Sequence, residues 1–513
     1  MSRAQFILAH DLGTSGNKAT LYSAEGEVIA SAFHGYETFH PHSNWAEQDP
    51  EEWWRAVEAC TRQILASGRA SADEIACISF SGQMQACLPV DEGGRPLRRC
   101  IIWADQRAVE QARQMEDRLG MAHVHRITGH RITPTLSGAK IMWVRDHEPD
   151  VYRQAHKFLH VKDYIVHRLT GQFVTDRTDA SGMNLYDLEA GTWSAEILDA
   201  VGLAAEKLPE IHDSTDVVGE VIPAAAEALG LRAGTPVVIG GGDGASATVG
   251  AGAVREGIAY NYIGSSSWIA FTSAAPVIDA GMKVFNYAHM IPGKYIPCGT
   301  MQAAGGSYQW LRRQMCTMEE WVAQQAGVDV YEVMNLRAEQ SPPGAQNLLF
   351  LPHLLGERTP HWNPRARGAF IGLTLRHTRA DLIRAVLEGI TFNLRSILRI
   401  FQEAGAEIRE MRAIGGGAKG RFWRQLMADI YGLPVLRPRM LEEATSMGAA
   451  IAGGVGVGLF PSFDIVDALV EIVDRHEPDR ATQPIYEALY PIYQQAYEAL
   501  CPIFDTLHEL EGV

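Results

Sequence analysis

The sequence lacks the features that mark secreted and membrane-spanning proteins. Its seven cysteines include no C-x-x-C pair, and an odd number of scattered cysteines favours free thiols in a reducing compartment. The longest weakly polar run, residues 444–460, is glycine-rich and shorter than the ~20 apolar residues that a bilayer crossing needs. Residues 1–20 place Asp11 and Lys18 where a signal peptide has its apolar core. We therefore expect a cytoplasmic protein without a membrane span, and interpret residues 444–460 as a buried helix.

Positive charge is also scarce. The 513 residues carry 45 Lys+Arg against 61 Asp+Glu, and no basic stripe offsets the net charge of −16. Such a surface repels phosphate backbones, so we expect no nucleic-acid partner. Glycine, in contrast, is abundant, with 49 residues against a typical share of about 7%.

Short apolar runs alternate with helical patterns, as α/β folds require. The predicted strands cover residues 6–9, 75–80, 237–239, 259–262 and 411–414, and the predicted helices cover 51–65, 378–405 and 422–431. Asp49 and Pro50 mark the start of the first helix, and Gly432 marks the end of the last. At roughly 100–200 residues per domain, the length predicts two to four domains.

The glycines follow the predicted strands. They stand at positions 13 and 16, 82, 240–242, 264 and 415–417. Ligands of α/β proteins bind at the carboxyl ends of strands, where backbone amides are free. We therefore expect these five turns to line one cleft.

Two of these turns resemble each other. Residues 11–16 read DLGTSG and residues 262–267 read YIGSSS, and their glycines lie about half the chain apart. The spacing predicts two similar halves, each with one donor-rich hairpin at a shared ligand. Two unrelated surface hairpins are the alternative.

Turns of this composition suit phosphate groups. Glycine and hydroxyl residues let backbone N–H groups converge on an anion. Neither a Walker A loop nor Rossmann glycine spacing is present. The two hairpins, together with the turn at residues 415–418 before a predicted helix, favour a nucleotide cradle of another type.

Two aspartates adjoin the turns. Asp11 precedes the first hairpin, and Asp243 follows Gly240–Gly242. One carboxylate could hold Mg²⁺ through water, and the other could accept the proton of an attacking hydroxyl in phosphoryl transfer. The structural alternatives are an Asx-turn for Asp11 and a helix N-cap for Asp243.

Other candidate groups are less specific. Trp103 and Arg107 could stack on and hydrogen-bond a small polar ligand, or belong to a buried strand end with an ordinary ion pair. His123, His125 and His130 have no carboxylate or cysteine at ligand spacing, which disfavours zinc. No G-x-S-x-G elbow is present, which argues against an α/β hydrolase.

Several segments resemble the FGGY carbohydrate kinases over essentially the whole chain. Residues 368–373 (GAFIGL), followed by Asp381-Leu382 and residues 385–388 (AVLE), are similar to the second family signature. Residues 137–144 are similar to the first signature with a looser start. Residues 45–50, 356–361 and 443–450 resemble the xylulose-kinase branch of the family.

The resemblance implies an α/β fold of two actin-like (ribonuclease H-like) ATPase domains with an interdomain cleft. Residues 1–245 would form the sugar side with the first phosphate hairpin, and residues 246–513 the nucleotide side. The implied activity is ATP- and Mg²⁺-dependent phosphorylation of the terminal hydroxyl of a ketopentose, foremost D-xylulose to D-xylulose 5-phosphate. The implied partners are the sugar and ATP, and related kinases suggest a homodimer by analogy.

The resemblance also assigns residue roles. Asp243 matches the catalytic base and Asp11 the metal-associated aspartate. The implied sugar contacts are Met84 and Gln85, and Trp103, Asp105 and Arg107 are further candidates for the sugar site. The implied ATP contacts are Thr14, Ser15, Gly16, Gly264, Ser265, Gly305, Gln309, Gly416 and Gly417.

Three positions depart from the family pattern. Gln85 stands where xylulose kinases have histidine, Ser267 where many relatives have glycine, and His10 where an aliphatic residue is usual. Because of Gln85, the phosphoryl acceptor could instead be gluconate, ribulose, erythritol or an autoinducer-type dione.

A non-catalytic sugar or nucleotide sensor is an alternative of a different class, as is an actin-like filament or chaperone ATPase. The presence of both Asp11 and Asp243 argues against an inactive sensor. The filament and chaperone interpretations leave Met84, Gln85 and the signatures unexplained.

Overall fold

The computed structural model describes residues 5–510, and its first half contains a large mixed sheet with flanking helices. The strands of this half are β1 (Phe6–Leu12), β2 (Gly16–Ser23), β3 (Val28–Gly35), β4 (Glu47–Gln48), β5 (Ile75–Gly82), β6 (Leu88–Val90), β7 (Cys100–Ile101), β8 (Lys157–Leu159), β9 (Val174–Asp176), β10 (Tyr186–Asp187), β11 (Thr192–Trp193), β12 (Glu210–His212), β13 (Val217–Glu220), β14 (Pro236–Val238) and β15 (Gly241–Gly242). The helices are α1 (Pro50–Ala66), α2 (Val109–Leu119), α3 (Met121–Thr128), α4 (Ser137–His147), α5 (Pro149–Gln154), α6 (Val161–Thr170), α7 (Arg177–Ser181), α8 (Ala195–Val201), α9 (Pro223–Leu229) and α10 (Asp243–Gly250).

The second half contains a second large sheet. Its strands are β16 (Ile258–Ile263), β17 (Ser267–Phe271), β18 (Phe285–Ala288), β19 (Tyr295–Met301), β20 (Leu349–Pro352), β21 (Gly368–Ile371), β22 (Glu410–Ile414), β23 (Val435–Pro438) and β24 (Ile472–His476). Its helices are α11 (Gly305–Met315), α12 (Thr317–Ala326), α13 (Val330–Glu339), α14 (Arg379–Glu403), α15 (Arg421–Tyr431), α16 (Ala444–Gly456), α17 (Val466–Leu469) and α18 (Gln483–Leu510).

The two large sheets share the arrangement of their central strands. The first has the order β13-β14-β5-β1-β2-β3, and the second β18-β19-β17-β16-β22-β23-β24. In the first, β1 pairs antiparallel with β2 and parallel with β5. In the second, β16 pairs antiparallel with β17 and parallel with β22. The predicted pair of similar halves is confirmed, and each glycine hairpin occupies the equivalent place in its sheet.

The predicted helices are present and begin where local signals place them. Asp49 caps α1 by accepting a hydrogen bond from the N–H of Glu51. Thr378 and Asp381 form a capping box at the start of α14. Gly432 ends α15 in the left-handed conformation. The apolar run at residues 444–460 forms the buried helix α16, and no helix within residues 5–510 is long and apolar enough to cross a bilayer.

Helices α10 and α16 join the two halves. A Cβ atom built at Gly448 would lie 1.9 Å from the backbone oxygen of Ser246, and one at Gly250 would lie 1.7 Å from that of Ala444. The helix backbones therefore touch, which glycine alone permits. One apolar cluster combines Ile7 and Cys77 of the first sheet with Ile451 of α16. The predicted domain boundary after residue 245 falls within α10 and stays a prediction.

Candidate active site

The first glycine turn presents its tip to solvent. The N–H of Gly13 donates to the carbonyl of Gly16 at 3.1 Å and closes the turn, and Ser15 is exposed. The hydroxyl of Thr14 accepts a 2.9 Å hydrogen bond from the indole of Trp103. A Cβ atom at Gly16 would lie 2.6 Å from the backbone oxygen of His34, so this glycine allows β2 and β3 to pack closely.

The second turn is similar but one residue shorter between its paired strands. The N–H of Gly264 donates to the carbonyl of Ser266 at 2.9 Å, and Ser265 is exposed. Ser267 is buried, and its hydroxyl donates to the carbonyl of Tyr262 at 2.6 Å. The departure from glycine at this position therefore adds a hydrogen bond at the base of the hairpin.

The start of α11 packs on the second hairpin. The N–H of Gly305 donates to the carbonyl of Gly264 at 3.0 Å, and that of Gly306 donates to the carbonyl of Ser265 at 2.9 Å. A Cβ atom at Gly305 would lie 2.3 Å from the oxygen of Gly264, so a larger residue would push the hairpin away. Gln309 lies one turn along α11 and is half-buried.

The third turn, Gly415–Gly417, lies against the same hairpin. A Cβ atom at Gly417 would lie 2.4 Å from a side-chain methyl of Ile263 in β16. Gly416 is exposed, and a Cβ atom there would meet nothing within 4 Å. Gly264, Gly305 and Gly417 therefore lie together at the end of β16, and Gly416 faces open space.

Asp243 is the first residue of α10, directly after β15. The helix N-cap is Gly242, so the alternative that Asp243 caps the helix is wrong. Its Oδ1 accepts a 2.7 Å hydrogen bond from the N–H of Gly244. Burial, together with the negative charge of Asp11, raises the pKa of Asp243 to about 7. A carboxylate with a pKa near neutrality is suited to exchange protons.

Asp11 lies in β1, opposite Lys18 of β2, and does not form an Asx-turn. Its Oδ2 accepts a 2.5 Å hydrogen bond from the hydroxyl of Thr445 in α16. Burial raises the pKa of Asp11, and the bond from Thr445 opposes that shift. Among residues 5–510, Asp11 and Asp243 form no ion pair with Lys or Arg, because Lys18 pairs with Glu443 instead. The two carboxylates provide the oxygen donors that Mg²⁺ prefers.

Met84 borders Asp243. It follows β5, and a Cβ atom at Gly242 would lie 2.6 Å from its Cγ. Gln85 comes next with φ +63°, a conformation that few residues other than glycine adopt. Its amide donates to the hydroxyl of Tyr287 in β18 at 3.2 Å, so this departure from the family pattern joins the two halves.

In the sequence, Lys140 is one residue of the segment 137–144 that resembles the first family signature. In the structure its buried ammonium donates to the carbonyls of Gln85 at 2.8 Å and Ile102 at 2.7 Å. It therefore ties the predicted sugar segment at 84–85 to the strand end before Trp103. Tyr287 had no signal in the sequence, since its contact with Gln85 depends on how the second sheet lies against the first.

Asp105 and Arg107 are buried in an internal ion pair. The guanidinium of Arg107 bonds to Asp105 and to Glu47, each at 2.8 Å, and lies over the ring of Trp45. Asp105 also accepts from the N–H of Ala46 at 2.6 Å. These contacts match the alternative of an ordinary ion pair. The sugar contact of Asp105 and Arg107 stays a prediction, since Nη1 of Arg107 is buried without a hydrogen-bond partner. Trp103 does reach the first turn, through Thr14.

His10 points away from these turns. It is buried and stacks on Phe80, and the amide of Asn17 lies 3.1 Å from its Nδ1. Burial lowers the pKa of His10 to about 4, so the ring is neutral. The polar residue therefore replaces an aliphatic one without placing a charge in the sheet.

Comparison with known proteins identifies the family. The N-terminal domain model of the FGGY family of carbohydrate kinases matches residues 6–250, and the C-terminal domain model matches residues 259–457. The chain belongs to the FGGY family of carbohydrate kinases. It is 35% identical over 493 residues to a xylulose kinase of Staphylococcus epidermidis, covering 96% of each chain. It is 33% identical to a gluconokinase of Bacillus licheniformis, covering 95% of this chain and 94% of the relative.

Solved structures agree with the family assignment. A ligand-bound xylulose kinase from Lactobacillus acidophilus superposes with a TM-score of 0.91 at 28% identity, covering 98% of this chain and 99% of the other. The two large sheets are thus the two actin-like domains of this FGGY kinase, and the expected fold class is confirmed. The protein is a sugar phosphotransferase, and its relatives include kinases of both xylulose and gluconate.

Proposed function

We propose that this FGGY kinase transfers the γ-phosphoryl group of ATP to the terminal hydroxyl of a ketopentose, foremost D-xylulose, and forms D-xylulose 5-phosphate and ADP. One observation carries this proposal. Asp11 lies near the end of β1 and Asp243 directly follows β15, the negative charge of Asp11 raises the pKa of Asp243, and neither carboxylate forms an ion pair with Lys or Arg of the described chain. Relatives named xylulose kinase support the choice of sugar.

Asp243 acts as the base in the proposed reaction. The sugar hydroxyl oxygen forms a bond to the γ-phosphorus, the bond between that phosphorus and the β,γ-bridging oxygen breaks, and ADP leaves. The hydroxyl proton passes to Asp243, whose raised pKa suits it to receive the proton near neutral pH. The amides and hydroxyls of residues 14–15 and 265–266, at the hairpin tips, hold phosphate oxygens. Mg²⁺ held at Asp11, usually through water, would offset phosphate charge.

The assignment of Asp243 is tested with Asp243→Asn, which keeps the size of the side chain and removes its basicity. We expect kcat in a coupled ADP-release assay to fall about 100-fold or more, while sugar binding followed by tryptophan fluorescence is retained. Asp187→Asn is the matched control, because Asp187 lies in the small sheet β10–β11, outside the proposed site. Near-normal kcat for Asp243→Asn would refute the proposed base.

Two observations favour a substrate other than D-xylulose as the alternative phosphoryl acceptor. Gln85 differs from the usual histidine, and gluconokinases are among the relatives. A panel of D-xylulose, D-gluconate, D-ribulose, erythritol and a linear dione is compared by kcat/KM. A value for xylulose far below that for another acceptor would overturn the first choice, and sugar binding without turnover of any acceptor would favour a sensor.

The homodimer stays a prediction by analogy, which light scattering during size-exclusion chromatography checks.

A further inference from the structure

A buried polar network lies behind the turn that leads to Asp243. The ammonium of Lys162 in α6 lies 2.7 Å from Asp163, 2.9 Å from Asp176 and 3.1 Å from Asp179, and all four side chains are inaccessible to solvent. Isolated buried charges are costly, so each carboxylate depends on this shared cation. The proposed phosphoryl transfer gives none of these residues a direct role.

Thr178 connects the network to the turn. Its hydroxyl donates to Oδ2 of Asp176 at 2.7 Å and accepts the N–H of Gly242 at 2.8 Å. Asp176 requires a donor, so the single hydroxyl proton points to it and a lone pair faces Gly242. The hydroxyl thus fixes the peptide between Gly241 and Gly242, one residue before Asp243.

A second hydrogen bond to the same carboxylate, from Ser214, connects it to the beginning of the turn. Ser214 donates its hydroxyl to Oδ2 of Asp176 at 2.8 Å, and its carbonyl accepts the N–H of Gly240 at 3.1 Å. The turn is also tightly enclosed, because a Cβ atom at Gly241 would lie 2.8 Å from the hydroxyl oxygen of Thr178. Asp176 therefore supports both ends of the segment 240–242, through the hydroxyl of Thr178 at one end and through Ser214 at the other.

We propose that Thr178, anchored by Asp176 and Lys162, is a positioning residue that sets the carboxylate of Asp243 in the orientation required to accept the substrate proton. This rests on the proposed role of Asp243 as the base. Proton transfer requires close alignment, and a displacement of about 1 Å can lower a rate about 100-fold. Loss of the hydroxyl leaves the N–H of Gly242 without its partner, so the turn and Asp243 shift together.

The test compares variants that differ in one hydroxyl. Thr178→Val keeps the shape and removes the bridge, and we expect kcat to fall about 10- to 100-fold with both KM values changed less than about threefold. Thr178→Ser keeps the hydroxyl and restores kcat to within about threefold of the unaltered enzyme. Thr170→Val is the matched control: it removes a buried hydroxyl at the end of α6 that bonds to its neighbours in the chain, Val166 and Gln172. Its kcat stays unchanged.

Two results overturn the proposal: kcat of Thr178→Val within about twofold of the unaltered enzyme, or kcat of Thr178→Ser as low as that of Thr178→Val. If Thr178→Val is not recovered folded, Thr178→Ala tests the same link, since alanine also lacks the hydroxyl and leaves the N–H of residue 178 to bond Asp176. An unchanged kcat for Thr178→Ala then overturns the proposal. Normal kcat for Asp243→Asn refutes the base itself, whereas an inactive Asp243→Asn beside a normal Thr178→Val refutes only the positioning role.

Discussion

Thr445 donates a hydrogen bond of 2.5 Å to Oδ2 of Asp11, although 434 positions separate the two residues. The bond joins α16 of the second half to β1 of the first. Two more contacts support it, an ion pair of 2.9 Å between Lys18 and Glu443 and a hydrogen bond of 2.8 Å between the hydroxyls of Tyr22 and Ser446. The aspartate that we assign to Mg²⁺ is therefore oriented by the opposite half of the protein.

This contact predicts the effect of Thr445→Val. Hydrogen bonds to charged groups contribute about 1.5–3 kcal/mol, so we expect kcat/KM for MgATP to fall about 10- to 100-fold. Titration of Mg²⁺ at fixed ATP should require a higher concentration for half-maximal rate. Thr445→Ser retains the hydroxyl and serves as the control, and an unchanged Mg²⁺ requirement in Thr445→Val would contradict the role of the bond.

The third glycine turn provides a matched pair of variants. Gly416→Ala places a methyl group in open space, so we expect normal thermal stability but a KM for ATP raised several-fold if adenosine occupies that space. Gly417→Ala forces a methyl group against Ile263 and should lower the free energy of unfolding by about 1–3 kcal/mol. Calorimetry and initial rates measure the two effects. A normal KM for ATP in Gly416→Ala would remove this residue from the proposed ATP site.

The raised pKa of Asp243 predicts how the rate depends on pH. The carboxylate must be deprotonated to accept a proton, and its pKa in the free enzyme is about 7. We therefore expect kcat/KM for the sugar to be highest above pH 7 and to fall about tenfold for each unit below it. Initial rates from about pH 5.5 to 8.5, with circular dichroism to confirm folding, check this. A flat profile down to pH 5.5 would show that Asp243 is not the titrating base.

The contact between α10 and α16 predicts a stability effect. A methyl group at Gly448 would lie 1.9 Å from the backbone oxygen of Ser246, which cannot move without shifting α10. We expect Gly448→Ala to lower the free energy of unfolding by about 3 kcal/mol or more. In Gly93→Ala, the control, the new methyl group lies in an exposed turn at 3.4 Å from Asp91, and stability should change by less than about 0.5 kcal/mol. Equal unfolding midpoints in urea for these two variants would contradict the backbone contact.

Much of the fold could be predicted from local signals. The ends of α1, α14 and α15 depend on caps within four residues of the helix, and both hairpins depend on glycine and hydroxyl residues beside apolar runs. These interactions form between neighbours in the chain, so the residues themselves contain the information. The resemblance to the FGGY signatures also predicted the family, and the matches to the family's N- and C-terminal domain models confirm it.

The contacts that shape the site could not be predicted in this way. Lys140 reaches Gln85 over 55 positions, Thr178 reaches Gly242 over 64, and Gln85 reaches Tyr287 over 202. The sequence also left Arg107 open between a sugar ligand and an ion pair, because one of its partners, Glu47, belongs to a separate segment. No periodicity or spacing encodes such pairs.

The sequence by itself determined two similar α/β halves, their glycine turns, the helix ends and the family. Only the tertiary structure decided that Asp11 is held by Thr445, that Thr178 bridges Asp176 and Gly242, and that Arg107 faces inward. The physical reason is that caps and turns are stabilised by bonds between near neighbours. A site at the ends of parallel strands is instead assembled by crossover connections that bring distant segments together.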